Sequence, residues 1–392
     1  MNAHEPVAVP VLRAPAWRRE PYRLFFALGL VHAWAGVSPW FLLAVGWIDA
    51  DRRVYHSIAQ VQGFLMCFAT GFLFTMVPRR TDTEAPSALQ MVLGLIAPVG
   101  ATVCAAFEWF MLSQSFWLLL VVVLLGFAPP RFRRAPPKRL PGFVWVPIAL
   151  GMGVAGSGCF ALFGITHQQH AWLHLLGKLL LLQGMFLGLV MGIGSMVLPL
   201  LTRGEAPGGS RPGDGVRRLG HGAAALVLLG SFAIEVAGEV RLGYAIRGLV
   251  ALVLLTGVAG IHRAPQWGSA NRVLVWATAW MVPLGYALAA WLPAQAQAGL
   301  HVVFLGGFAA MAFAVGAHVS AAHGGRKDLL VGWGWPVVAY GGLFAVALVA
   351  RCLMVFDPVR TTLWMGFGSA AFLTGTAIWA VLAIPVLVPT KK

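Results

Sequence analysis

Apolar runs of membrane length, separated by short polar breaks, fill most of this chain. A spanning helix needs about 20 mainly apolar residues. By that measure the pattern predicts about twelve helices, near 22–47, 55–77, 87–107, 109–129, 142–165, 171–201, 220–238, 243–261, 272–292, 297–321, 331–353 and 361–388. The runs at 87–129 meet at Glu108 with almost no loop. The expected class is therefore all-α, a polytopic membrane protein. No polar stretch is long enough for a soluble domain, so residues 1–392 read as one membrane domain. Residues 1–21 form a Pro- and Arg-rich tail, without the apolar core and small-residue site of a cleavable signal peptide. Residues 202–219, rich in Gly, Pro and Arg, read as a flexible linker between halves.

One stretch of the pattern recurs. Gln62–Pro86 and Gln183–Pro207 share Gln, Gly, Gly, Pro, Thr, Glu, Ala and Pro at identical offsets, 121 residues apart. The matched segments are predicted helices two and six, so the period is four helices. An even period preserves orientation and gives parallel repeats. Helix ten, His301–Arg326, is a weaker third relative: it starts at a histidine, carries early glycines and ends at a Gly- and Arg-bearing loop. The reading is three four-helix units with helices two, six and ten around a shared centre. The competing reading is a chance likeness among apolar helices.

The chain is 59% hydrophobic and 10% charged, which leaves too little polar surface for an ordinary soluble domain. Its net charge of +15 would suit a nucleic-acid binder, but the placement of charge argues otherwise. Basic residues crowd alternate loops, as at Arg79 and Arg80, Arg131 to Arg139, and Arg203 to Arg218. The intervening loops hold few, chiefly Arg52, Arg53, Arg241, Arg351 and Arg360. That asymmetry predicts both termini in the cytoplasm of a bacterial inner-membrane protein, with the bilayer and not nucleic acid as partner. Cys67, Cys104, Cys159 and Cys352 are isolated in apolar runs. Without a Cys-x-x-Cys pair, c-type haem attachment and a redox dithiol are both unsupported.

The candidate chemistry is histidine. His56, the group His167, His170 and His174, and His301 start helices two, six and ten, all on the non-cytoplasmic side by the charge rule. His170 and His174 are spaced i,i+4, which puts both on one helix face. They could chelate a metal, or supply a ligand and a supporting donor; exposure in an interfacial loop is the alternative. His32 lies inside helix one. His318 and His323 close the far end of helix ten, roughly 25 Å from His301, so they would need a separate site. His221 and His262 sit beside arginines and read as solvated; His4 lies in the tail. Other polar residues expected within the membrane are Gln62, Glu108, Lys178, Gln183, Glu235, Glu239 and Arg247, the carboxylates being able to pair with Arg241 and Arg247. No nucleotide-binding, metalloprotease or nucleophile motif is present.

Three segments carry a family resemblance. His301, Gly306, Met311, Ala314, Val315, Ser320, His323, Gly325 and Arg326 follow the signature H-x4-G-x4-M…S-x2-H-x-G-R. Tyr55–Thr81 is similar to W-H-x-H-E…G-F…G-F-L-L-T-x-V-P, and Pro21–Phe26 to P-F-R-P-F-F. The chain thus resembles the NnrS family of haem- and copper-containing bacterial membrane proteins, over most of its length. It departs from the pattern at His56-Ser57-Ile58-Ala59, where the family has His-x-His-Glu, and at His318, which stands where an arginine is expected.

The resemblance implies haem b, with copper as a further metal, and nitric oxide as the small ligand handled. Axial ligation would fall to His56, His174 and His301. His170 would support a ligand or hold copper, and His167, His318, His323 and His32 are further metal candidates. Enzymatic turnover on nitric oxide and electron transfer both remain open, as does a homo-oligomer. Two other readings stand beside this one: a transporter for a metal ion or metal complex, and a sensor or assembly factor without turnover.

Overall fold

The computed structural model describes residues 10–50, 52–134, 140–206 and 211–388. Among them lie twelve helices long and apolar enough to span a membrane: Tyr22–Ala44, Arg53–Thr81, Ala88–Ala106, Phe110–Arg134, Pro141–Ile165, Ala171–Arg203, Asp214–Val236, Val240–Gly257, Ala270–Trp291, Pro293–His323, Trp335–Phe356 and Pro358–Leu387. We number them helix one to helix twelve. His4, Lys138, Arg139 and Pro207 fall outside the described residues.

Three helices form the centre. Helices two, six and ten are 89%, 78% and 67% buried along their apolar windows, whereas no other helix exceeds 50%. The other nine surround them. Helix one packs on two and twelve, three on four and two, five on six, seven on eight, nine on ten and six, and eleven on twelve and ten. Peripheral helices keep one face for lipid. Val122, Leu226 and Val381, for example, are exposed, which in a bilayer carries no hydrophobic penalty.

Small residues set how closely the helices approach. Gly285 of helix nine and Gly299 of helix ten face each other. A Cβ on Gly299 would sit 2.5 Å from the Gly285 carbonyl oxygen, a distance no side chain tolerates. With lipid as solvent the hydrophobic effect cannot drive helices together, so backbone contact of this kind supplies the attraction. The tight junction of helices three and four is made by Glu108, whose φ of 63° turns the chain through the left-handed region. Helix three itself opens on a capping box, Ser87 and Gln90 each satisfying the other's backbone N–H.

Each central helix contains a π-helical stretch: Ile58–Leu65, Leu180–Gly184 and Val302–Ala309. Long π segments are rare and concentrate at functional sites. The first and third begin immediately beyond His56 and His301. Deeper along the same three helices lies a cavity of about 90 Å³, lined among others by Phe68, Phe72, Ile193, Val197, Met311 and Val315. Every residue that lines it is apolar or glycine.

The membrane-embedded polar residues separate into two sets. Gln62, Gln183, Glu235 and Arg247 are buried, but Glu108, Lys178 and Glu239 are exposed. His221, expected in solvent, is instead buried at 5% exposure, because its ring takes a 3.1 Å hydrogen bond from the Trp145 indole of helix five. His262 is exposed, as expected.

Candidate cofactor site

His56 and His301 come together where helices one, two, ten and eleven meet. The His56 Nδ1 donates to the Gly36 carbonyl of helix one at 2.8 Å, and Trp40 stands edge-on to the ring at a centroid distance of 5.6 Å. Helix one can come this close because Gly36 lacks a side chain; a Cβ there would collide with the Gln60 amide. The Gln60 amide in turn donates to the Ala33 carbonyl at 3.0 Å, which fixes the first turns of helix two against helix one.

His301 is held in a similar way. Its Nδ1 donates to the Gln297 carbonyl one turn earlier, at 2.8 Å. Its Nε2 receives a 2.8 Å hydrogen bond from the Arg351 guanidinium of helix eleven. A ring nitrogen facing a carbonyl must carry a proton, so Nδ1–H is fixed in both rings, and Nε2 is the atom left to ligate in each once Arg351 releases that of His301. A ligating histidine is commonly oriented through its other nitrogen in this manner. His56 and His301 are near enough to interact electrostatically, and Arg351 acts on both.

The remaining predicted residues are placed elsewhere. Helix six becomes helical only at Ala171, so His170 lies just before it with φ of −112° and ψ of 77°. His167 is in an exposed turn with φ of 50°. The shared helix face expected for His170 and His174 therefore does not form, because left-handed turns at His167 and Gln168 delay the helix. His174 is helical but exposed, its ring against Phe160 and Phe163 of helix five at 5.2 and 5.1 Å. His318 and His323 sit at the other end of helix ten, His323 against the Tyr22 ring at 5.6 Å.

His32 is buried one turn deeper than Gly36 on helix one. Its Nε2 has no hydrogen-bond partner among the described residues. Its ring fills the space left by Gly63. Among the described residues no three His, Cys, Asp or Glu side chains gather as a metal site.

Arg351 is the residue that sequence reasoning missed as part of this site. It was counted with the sparse basic residues of the outer loops, although it lies inside an apolar run. An arginine within a span was itself the available signal.

A family model described as NnrS protein matches residues 16–391. The chain belongs to the NnrS family. It is an NnrS-type membrane protein, tied by that membership to the haem–copper and nitric oxide function associated with the family. No curated protein matches the chain. The departure from the NnrS pattern at positions 58 and 59 has a physical account. Ile58 and Ala59 are buried at 7% and 0% exposure, and the Ala59 methyl is one of the atoms nearest a Cβ at Gly36. A glutamate at position 59 would have to displace helix one. His56 keeps its place because it is directed at a carbonyl instead.

As donors, two imidazoles with Nδ1 tied to carbonyls suit an imidazole-ligated iron or copper through Nε2, that of His301 being held by Arg351 in this structure. The central cavity, at about 90 Å³, is large enough for a diatomic molecule.

Proposed function

We propose that this protein handles nitric oxide at a haem or copper centre held by His56 and His301, with its termini in the cytoplasm. One observation carries the reading: two histidines from different central helices lie within electrostatic reach of each other, each with Nδ1 tied to a carbonyl so that Nε2 is the atom left for ligation, in His301 after Arg351 moves off it. The Gly36 and Gln297 carbonyls hold a proton on Nδ1, which directs ligation by either ring to Nε2. His174 enters this proposal only as a residue whose ring would have to leave Phe160 and Phe163. Bound iron or copper would supply the coordination position and electron chemistry that a diatomic ligand needs. The apolar cavity between helices two, six and ten admits a small neutral molecule and disfavours water or ions.

The scaffold is proposed to be three parallel four-helix units. Contacts of helix one on two recur between five and six, 121 residues on along helices two and six and 120 residues on along helices one and five. Gly36 meets Gln60 as Gly156 meets Leu181; Gly63 meets His32 as Gly184 meets Met152; Gly71 meets Phe25 as Gly192 meets Trp145. The repeated glutamines also behave alike. Gln62 exchanges amide hydrogen bonds with Gln114 of helix four at 3.1 and 3.2 Å, and Gln183 accepts from Arg247 of helix eight at 2.7 Å. The π stretch of helix ten supports its place as the third member.

The test is the visible spectrum and metal content of protein purified from haem- and copper-replete cells. The reading expects a Soret band or stoichiometric copper that His56→Ala and His301→Ala remove. Neither signal, before or after reconstitution, would end it. A metal transporter is the second reading. The wholly apolar lining of the central cavity counts against a hydrated ion on that path.

A further inference from the structure

Arg351 is a cation placed among neutral groups. Its guanidinium donates to the His301 Nε2 at 2.8 Å and to the Met354 thioether at 2.8 Å. Thioether sulfur is a weak acceptor, and neither partner carries negative charge. His56, the other titratable group near this point, donates its Nδ1–H to the Gly36 carbonyl and brings no negative charge. The neighbouring Cys352 thiol is directed at the Ala298 carbonyl. The acid nearest in sequence, Asp357, is occupied by Arg360 and the Trp364 indole. Among the described residues no carboxylate pairs with Arg351. Other arginines at this end do have acids: Arg52 lies 3.7 Å from Glu108, and Arg360 lies 3.9 Å from Asp357.

A guanidinium within a membrane span and without a counter-charge is costly. We propose that Arg351 is the docking point for a planar oxyanion, a carboxylate or nitrite, delivered beside the Nε2 atoms of His56 and His301. The planar fork of arginine matches two oxygens of such an anion, which are better acceptors than the imidazole and thioether it now holds. The anion has two candidate sources: a small solute at the site, or an acidic side arm of a cofactor bound there. The inference rests on the His56–His301 pair as the functional site, but it is measurable without any metal, so the two can fail separately.

The experiment is calorimetric titration of sodium nitrite into the purified full chain in nanodiscs, both metal-free and haem-loaded. Saturable binding to the metal-free protein is expected. It should weaken at least about tenfold in Arg351→Gln and stay unchanged in Arg360→Gln, which removes an exposed outer charge instead. If the anion is a free solute, nitrite still binds the haem-loaded protein. If it is a cofactor arm, haem blocks nitrite, and haem dimethyl ester binds more weakly than haem in the wild type but not in Arg351→Gln. Should Arg351→Gln fail to fold, Arg351→Lys keeps the charge without the fork and is expected to bind nitrite several-fold more weakly. No saturable nitrite binding to the metal-free wild type overturns the proposal, as does binding that either Arg351 variant leaves intact.

Discussion

Arg247 and Arg351, both inside spans, are set in opposite ways. Arg247 of helix eight has no solvent exposure. It pairs with Glu235 of helix seven, donates to Gln183 at 2.7 Å, and lies over the rings of Tyr244, Phe232 and Tyr286 at 4.5, 4.9 and 5.9 Å. Arg351 of helix eleven is half-buried and holds an imidazole and a thioether. A cation whose charge is matched and enclosed serves as a tie between helices. One left beside lone pairs is available to a ligand. The same residue type is thus structural in helices six to nine and, in the proposal above, a ligand contact near helices ten and eleven.

The comparison breaks most readily at the enclosed pair. Removing one member of a buried ion pair leaves the other charge uncompensated and costs about 3–5 kcal/mol. Glu235→Ala should therefore lower stability by that amount in detergent unfolding followed by helical circular dichroism. Arg351→Ala should change it by less than about 1 kcal/mol, because no compensated charge is lost. Equal losses would show that both arginines are structural.

The histidines sharpen the contrast next. His56→Ala and His301→Ala should weaken metal or haem binding by about ten- to a hundred-fold in equilibrium titration. His170→Ala and His174→Ala should stay close to wild type, because neither ring lies with the pair. A smaller effect is expected at Gly177, which occupies in helix six the repeat position that His56 holds in helix two. A Cβ there would come within 2.9 Å of the Gly156 carbonyl oxygen, so Gly177→Ala should cost about 1–3 kcal/mol through overpacking. Gly151→Ala, with open space around it, should be neutral or slightly stabilising.

The smallest effect lies outside the membrane. The Glu205 carboxyl is held below its usual range, first by its hydrogen bond from Arg203 and then by the charges of Arg203 and Arg263. A depressed acid contributes stability above its unfolded pKa, near 4.3, and loses it as pH falls through the lower folded value. Glu205→Gln should flatten the acid limb of the unfolding profile by lowering stability slightly in the neutral region while leaving it unchanged at low pH. The group is fully exposed, so the change should be slight.

Much of the scaffold was legible from the chain. The twelve spans, the abrupt turn at Glu108 and the importance of helices two, six and ten follow from hydropathy and from one repeated segment. The acid–arginine partnership expected of Glu235 is met by Arg247. The site was legible only in part. His56 and His301 were candidates, but so were His170 and His174, and nothing in their i,i+4 spacing revealed that the helix starts after His170. Arg351 looked like a loop charge, and His221 looked solvated until Trp145 was found against it.

The sequence by itself determined which segments cross the bilayer, because each span is apolar along its own length and the membrane reads that property locally. It also determined the family, through motifs spread over most of the chain. Only the tertiary structure decided which histidines lie near Arg351 and within electrostatic reach of each other. That depends on how each helix is rotated about its axis, on where left-handed turns delay its start, and on π stretches that widen the turn and rotate all that follows. These are properties of neighbouring backbones in contact, at Gly36 and Gln60 or at Gly285 and Gly299, and no single helix contains them.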